Sequence, residues 1–241
     1  MSAMRQWLVH REVPSPNWNE RKLPPGRSVS MAVIHYTGMR TADEALERMC
    51  DPAAEVSAHY MIDEDGTVTQ LVEEDKRAWH AGLSYWRGIT DVNSASVGIE
   101  LVNTGHEFGY RAFPEAQIDA LLPLLSDIVK RHDIPRANVV GHSDIAPARK
   151  TDPGELFPWD RLARLQLALP KPKLSMRLLY DNPGAFYLAL ERFGYDIADG
   201  HAAVAAFQRR FRPNIIDGEI DGQCGALLFE LLLERDMGRA R

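Results

Sequence analysis

The sequence predicts an α/β protein in which a mixed central β-sheet is flanked by helices, followed by a small C-terminal three-helix domain. Two observations support this fold class. Over the first two thirds of the chain, short apolar segments typical of buried strands alternate with amphipathic helical segments, as in a sheet with helices packed on it. Beyond residue 173, the recognisable patterns are all helical.

Five segments predict the strands of the central sheet. Residues 30–36 (SMAVIHY) form an apolar run that carries a histidine at its end. Residues 57–62 and 67–72 flank a turn that ends in Asp-Gly, which predicts a hairpin. Further strands are predicted at residues 95–102 (ASVGIELV) and 138–142 (NVVGH).

Three segments predict the helices around this sheet. Residues 41–49 form a short amphipathic helix, and residues 114–132 carry apolar side chains at helical spacing. Pro114 suits the start of the longer helix, whereas Pro123 is expected to bend it. Residues 159–169 predict a closing helix.

A change of composition then predicts a domain boundary. Pro-Lys-Pro-Lys at 170–173 is a stiff, charged segment, which is typical of a linker crossed by few contacts. We expect an α/β domain at residues 1–169, a linker at 170–174 and a helical domain at 175–241. Helical patterns in the last of these occur near residues 186–193, 202–211 and 223–233.

Bulk composition excludes several classes of protein. The 241 residues carry a net charge of −6, which argues against nucleic acid as a partner. Cys50 and Cys224 lie far apart, so neither a disulfide framework nor a thiolate metal site is expected. The sequence holds no transmembrane segment, and residues 1–22 contain no apolar signal core. As it stands, the sequence predicts a cytoplasmic protein, or a periplasmic or envelope protein if a signal was removed.

Three residues form a possible metal site. His35 and His142 each end a predicted strand, and Asp152 precedes Pro153, which favours extended backbone at the aspartate. Two imidazoles and a carboxylate suit zinc and leave a fourth position for water. Spacing alone does not decide the matter, because most of the eight histidines of such a chain are ordinary core or surface residues.

Five motifs in a fixed order give this site a family context. The set resembles the type 2 N-acetylmuramoyl-L-alanine amidase family, which is related in fold to peptidoglycan recognition proteins and phage T7 lysozyme. The resemblance covers roughly residues 14–165. The motifs are IHYT at 34–37, SAHY at 57–60, WHAG at 79–82, GIEL at 98–101 and GHSDIAPARKTDPGELFP at 141–158.

The resemblance implies a role for five residues. His35, His142 and Asp152 would hold one zinc ion, Glu100 would be the general acid and base, and Lys150 would share the charge of the oxyanion. Taken by itself, Glu100 is also compatible with a sheet-edge carboxylate that faces water, and Lys150 with a solvated surface lysine.

Four further residues are weaker candidates for substrate binding. His59 of SAHY, His80 and Trp79 of WHAG, and Asn93 near the Glu100 strand are expected to lie near the cleft. Packing in the core is an equally good interpretation for the two histidines, and the better one for the tryptophan.

The C-terminal segment resembles a second family. FGYDIADG, VAAFQRR and IDGEIDGQCG are similar to motifs of a peptidoglycan-binding module of three helices, over roughly residues 175–235. The segment 211–216 (FRPNII) is longer and more basic than that family's pattern. A helical cap on the catalytic domain is the alternative.

Together the two resemblances imply an enzyme that hydrolyses the amide bond between N-acetylmuramic acid and L-alanine in peptidoglycan or muropeptide fragments. Two other functions fit the same motifs. One is a non-catalytic peptidoglycan recognition protein, and the other is a zinc endopeptidase that cuts within the stem peptide.

Overall fold

The computed structural model describes residues 8–173 and 182–236. Residue 174 of the predicted linker lies outside the described residues, as do 1–7 of the predicted catalytic domain and 175–181 and 237–241 of the predicted helical domain. The described strands are β1 (Arg11–Glu12), β2 (Trp18–Glu20), β3 (Met31–Tyr36), β4 (Tyr60–Ile62), β5 (Val68–Gln70), β6 (Lys76–Ala78), β7 (Ser96–Leu101) and β8 (Val139–Gly141). The described α-helices are α1 (Ala42–Cys50), α2 (Val92–Ala95), α3 (Glu115–His132), α4 (His142–Ile145), α5 (Trp159–Arg164), α6 (Pro183–Phe193), α7 (Gly200–Phe211) and α8 (Gly222–Asp236).

Six of these strands form the central sheet, in the order β1-β5-β4-β7-β3-β8. The β4–β5 pair is the predicted hairpin and is antiparallel, whereas the other pairs are parallel, so the sheet is mixed. Strands β2 and β6, which the sequence patterns did not indicate, form a separate antiparallel pair. The predicted fold class is confirmed.

Strand alternation places apolar side chains on both faces of the sheet. Ile34 of β3 and Ile99 of β7 pack against α3 through its residues Leu121 and Leu125. The α3 helix continues through Pro123, with Pro114 one position before its first residue. This face forms one of the hydrophobic clusters of the protein.

Three boundaries differ from the sequence prediction. The closing helix α5 ends at Arg164, because Leu165 leaves helical geometry and Gln166 follows with a positive φ of 60°. The two hairpin strands are shorter than predicted, at three residues each. His142 begins a short helix directly after β8 rather than ending the strand.

The opposite face of the sheet shares a core with the C-terminal helices. Met31, Val33 and Val140 belong to the same buried cluster as the aromatic residues of α6 and α7. The indole ring of Trp86, which is 1% exposed, lies 5.2 Å from the ring of Tyr195. The expectation that few contacts cross the linker is therefore wrong. Linker stiffness says nothing about the apolar surface on either side of it, and that surface is buried here.

This shared core predicts a large effect of truncation after residue 169. The shortened chain would expose Trp86, Val140 and Ile145, and each large apolar side chain contributes about 1.5–3 kcal/mol when buried. We therefore expect the truncated chain to lose about 5 kcal/mol or more of its free energy of unfolding, measured by urea denaturation, and to aggregate. Equal denaturation midpoints for the full and truncated chains would contradict this. The domain bounds themselves stay a prediction.

No helix in the part of the chain that the structure describes combines the length and the hydropathy needed to cross a bilayer.

Candidate metal centre and active site

Three buried side chains converge at the carboxyl end of the central strands. His35 lies in β3, His142 begins α4, and Asp152 lies in the loop that leads to α5. The two Nδ1 atoms of the histidines are 2.9 Å apart, and each is 3.1 Å from Asp152 Oδ2. All three side chains are at most 5% exposed. The structure thus brings together the three residues that the sequence predicts as metal ligands.

The outer nitrogen of each histidine is fixed by a neighbour. His142 Nε2 lies 3.1 Å from the carbonyl oxygen of Ala81, which can only accept a hydrogen bond. Nε2 therefore carries a proton, so that in the neutral ring the lone pair lies on Nδ1, which faces His35 and Asp152. His35 Nε2 lies 3.0 Å from His80 Nδ1.

The protonation of the His35–His80 pair follows from a chain of hydrogen bonds. The Ser96 hydroxyl donates to the carbonyl oxygen of Val92 at 2.6 Å, so its oxygen accepts from His80 Nε2 at 3.2 Å. With its proton on Nε2, neutral His80 accepts from His35 Nε2 through Nδ1. His35 then also presents an unprotonated Nδ1 to the other two ligands. Partners of this kind orient metal-binding histidines.

Two glycines give these side chains the room they need. A Cβ atom on Gly98 of β7 would lie 2.4 Å from the ring of His80, so the imidazole packs directly on the strand backbone. A Cβ atom on Gly141 would lie 2.6 Å from the Pro153 ring, which follows Asp152. Both approaches require glycine at these positions.

Burial and mutual proximity set the charge state of the three converging side chains. Burial, together with neighbouring His142, lowers the pKa of His35 to about 4. Burial would raise the pKa of Asp152, but the nearby His142 and His35 outweigh it and hold that pKa well below its usual value. At neutral pH, His35 is therefore neutral and Asp152 is ionised, as metal ligands must be.

Glu100 lies beside the three converging side chains. It is paired in register with His35 on the adjacent parallel strand, so both side chains point to the same face, opposite Ile99. Its Oε2 atom is buried, and none of the described residues offers it a hydrogen-bond partner. Burial, with a contribution from Asp152 and against the effect of Lys150, raises the pKa of Glu100 to about 8. Such a carboxyl can both accept and donate a proton near neutral pH.

Glu100, His142, Asp152 and Lys150 line one cleft of about 730 Å³. His35 is 1% exposed and is not part of the cleft lining. Around its edge lie basic, acidic and aromatic side chains. They include Tyr36, Arg40, Glu44, Arg48, His106, Glu107, Phe108 and Arg149.

The four weaker candidates for substrate binding lie mostly below the cleft surface. His59 is fully buried; its Nδ1 accepts from the backbone amide of Gly98, and it is not part of the cleft lining. His80 reaches the cleft lining but is 5% exposed and bonded to His35. Trp79 is half-buried and donates through Nε1 to Asn19 at 3.3 Å.

Asn93 has a different role from the one expected. Its Oδ1 atom accepts from the backbone amides of His80 at 3.0 Å and Ala81 at 2.8 Å. His80 contacts Nε2 of His35, and the carbonyl oxygen of Ala81 contacts Nε2 of His142. Asn93 therefore holds in place the backbone of both residues that contact these nitrogens. Neither this contact nor that of Ser96 with His80 follows from a pattern in the sequence.

Comparison with known families bears directly on this site. The family profile described as N-acetylmuramoyl-L-alanine amidase matches residues 25–155, which include all five residues predicted for metal binding and catalysis. The chain belongs to this family. The predicted resemblance to type 2 amidases is confirmed, and the chain is an enzyme of the N-acetylmuramoyl-L-alanine amidase class.

Two relatives show how far the similarity extends. The N-acetylmuramoyl-L-alanine amidase AmiD of Escherichia coli K12 is 38% identical over 233 residues, covering 86% of this chain and 83% of AmiD. The 1,6-anhydro-N-acetylmuramyl-L-alanine amidase AmpD of Citrobacter freundii is 36% identical over 177 residues, covering 66% of this chain and 91% of AmpD. The match to AmiD thus extends over more of the chain than the match to AmpD.

Solved structures of relatives agree with the fold. AmiD from E. coli, in complex with the substrate anhydro-N-acetylmuramic acid-L-Ala-D-γ-Glu-L-Lys, superposes with a TM-score of 0.78 at 36% identity, covering 89% of this chain and 93% of AmiD. AmpDh3 from Pseudomonas aeruginosa, in complex with anhydromuramic pentapeptide, gives 0.79 at 30% identity, covering 90% of this chain and 96% of AmpDh3.

Proposed function

We propose that this chain is a zinc-dependent amidase that hydrolyses the bond between N-acetylmuramic acid and L-alanine in muropeptides. One zinc ion is held by His35, His142 and Asp152. The observation that carries the proposal is the convergence of Nδ1, Nδ1 and Oδ2 within 3.1 Å of one another.

The hydrogen bonds around the two histidines support a metal at this point. In the neutral rings the protons lie on the outer nitrogens, so two Nδ1 lone pairs and a carboxylate oxygen face the same point. A cation at that point would be attracted to all three groups. Two imidazole nitrogens and one carboxylate oxygen are a ligand set that zinc accepts in hydrolases, with a fourth position left open.

The chemistry divides between the metal and the chain. A bound zinc ion supplies a Lewis acid, which polarises the substrate carbonyl and lowers the pKa of a water molecule. Glu100 removes a proton from the water that attacks the carbonyl carbon. It then delivers this proton to the alanine nitrogen as the carbon–nitrogen bond breaks. A carboxyl whose pKa is raised by burial is suited to both steps.

Lys150 supplies positive charge to the same cleft. Its ammonium group lines the site and acts electrostatically on Glu100. We assign it to the negative oxygen that develops when the carbonyl is attacked, where one such donor contributes about 3 kcal/mol. The ammonium group would stabilise the uncharged carbonyl oxygen of the bound substrate less than this negative oxygen.

Relatives guide the choice of substrate. AmiD and AmpDh3 have been solved with anhydromuramic peptides, and AmpD is named for the 1,6-anhydro sugar. The cleft volume of about 730 Å³ suits a ligand of that size. We therefore propose soluble muropeptides, the anhydro form among them, as substrates of this chain.

Mass spectrometry of the products tests the proposed function. Incubation with an anhydromuramyl tripeptide should release the free sugar and a peptide whose N-terminus is L-alanine. A product in which the sugar keeps its L-alanine would identify an endopeptidase instead. An unchanged substrate, with zinc present, would support a recognition protein and reject the amidase.

A further inference from the structure

A buried carboxylate next to the metal centre is held by α7 and by the loop that precedes α7. Asp144 lies two residues after His142 in α4 and is 1% exposed. Its Oδ2 atom accepts from the backbone amide of Gly141 at 2.8 Å and from Arg210 Nη1 at 2.6 Å. Its Oδ1 atom accepts from the hydroxyl of Tyr195 at 2.5 Å. Two of its three partners thus come from beyond the linker.

Arg210 of α7 holds more than this carboxylate. It is 7% exposed, and its Nη2 atom donates to the carbonyl oxygen of Val139 at 2.9 Å. Its guanidinium group lies 4.0 Å from the centroid of the Trp159 ring, at the start of α5. The Arg210 side chain therefore contacts β8, α4 and α5. The loop that carries Asp152 connects α4 to α5.

The short helix α4 transmits this contact to the ligands. Its first residue is the ligand His142, and the backbone amide of Ser143 donates to the carbonyl oxygen of Asp152 at 2.8 Å. Asp144 closes the same turn onto Gly141. The contacts that hold Asp144 in place therefore also hold the backbone that carries His142 and Asp152.

Removing Arg210 would disturb this turn for a physical reason. Asp144 is too buried to be solvated by water, and an ionised carboxylate that loses its partner in such a place is strongly disfavoured. Without the guanidinium group, Asp144 Oδ2 keeps only the backbone amide of Gly141 as a donor, and the side chain is free to rotate out of its present position. Such a movement breaks its bond to Gly141 and loosens the turn that carries His142.

We propose that Arg210 and Tyr195 are positioning residues of the zinc centre, so that the segment beyond the linker completes the metal site of the catalytic domain. This inference rests on the proposed function, since it concerns zinc held by His35, His142 and Asp152. It gives the C-terminal segment a role inside the enzyme that does not depend on attachment to cell wall.

The chain offers a matched control for the test. Arg212, two residues further on, is 2% exposed and pairs with Asp217 and Asp221. Both partners belong to the C-terminal segment itself. Arg212→Met therefore removes a comparably buried cation and weakens the helices, but it leaves the contact with Asp144 intact.

The experiment measures the zinc dissociation constant of the full-length protein by competition with a chromophoric chelator, well below the melting temperature of each variant. Arg210→Met keeps much of the side-chain volume and should weaken zinc binding by about 10-fold or more, within the range typical of lost supporting contacts. Tyr195→Phe removes one hydroxyl and should weaken binding by a smaller factor. Arg212→Met should lower the melting temperature without changing the dissociation constant.

The outcomes separate this inference from the proposed function. A wild-type protein that binds no zinc would reject the proposed function itself. A wild-type protein that binds zinc, with Arg210→Met and Tyr195→Phe binding it equally well, would reject only the positioning role. Equal weakening by Arg210→Met and Arg212→Met would also reject it, because the effect would then come from general loss of helix stability. If Arg210→Met does not fold, Tyr195→Phe alone decides the question.

Discussion

We expect His35→Ala and Asp152→Ala to lose both bound zinc and amidase activity. Each substitution removes one of three protein ligands, and the two that remain cannot hold the ion at the concentrations found in an assay. Activity should fall to the background rate. Zinc content by atomic absorption and turnover of an anhydromuramyl tripeptide are the two measurements. Treatment of the wild-type protein with a chelator should have the same effect, and added Zn²⁺ should reverse it.

His201→Ala is the control for this result. His201 lies on the exposed side of α7, away from the cleft, so its loss should leave zinc content and turnover unchanged. Full turnover by a metal-free wild-type preparation would reject the zinc mechanism. Normal zinc content in either ligand variant would show that the coordination sphere is misassigned.

Glu100→Gln should lower kcat by about 10²–10⁴ while zinc content stays the same. Glutamine keeps the size and shape of the side chain but cannot take a proton from water. Steady-state kinetics and metal analysis on the same preparation measure both quantities. Glu107→Gln is the matched control, because Glu107 also lines the cleft but is exposed at its edge. Loss of zinc together with activity would make Glu100 a ligand.

The same variant should carry a stability signature in the metal-free protein. The pKa of Glu100 rises from 4.5 to about 8 on folding, so its contribution to stability is complete below about pH 4.5 and is lost as the pH rises through 8. Glutamine does not titrate. The melting temperature of metal-free Glu100→Gln minus that of the metal-free wild type should therefore be smallest at about pH 4 and roughly 10 °C larger at pH 9. A difference in melting temperature between the two proteins that stays the same at every pH would contradict the raised pKa.

The sequence indicated which side chains would lie at the centre of the candidate site, because local rules govern their placement; their roles stay a prediction. Alternation along β7 places Glu100 on the face opposite Val97, Ile99 and Leu101, and the parallel register with β3 makes it a neighbour of His35. The motifs then supplied His142 and Asp152. These residues belong to short segments whose conformation depends on nearby sequence.

The supporting contacts could not be predicted in the same way. Asn93 is not an obvious partner for the backbone of His80, and 66 residues separate Arg210 from Asp144. Buried polar groups find their partners only when the sheet and helices are packed, and no periodicity encodes that pairing. For the same reason, the linker composition gave a wrong expectation about the core that lies beneath it.

The relatives differ in how much of this chain they match, which bears on the core shared by the sheet and the C-terminal helices. AmpD of C. freundii matches 66% of this chain, whereas AmiD matches 86%. A relative without the C-terminal helices would need polar residues where this chain has Trp86 and Ile145. A transfer of these helices between relatives should therefore include the sheet surface that they cover.

The shared core also affects the order of events during synthesis. A ribosome makes the chain from its N-terminus, so the sheet can form while Trp86 and Val140 still lack the helices that cover them. At translation rates of about 5–20 residues per second, α6 to α8 follow residue 169 only after roughly 3–13 s. During that interval the nascent chain exposes an apolar surface to chaperones and to other nascent chains. An enzyme that cuts cell-wall material would then reach its finished form only when the last helix leaves the ribosome.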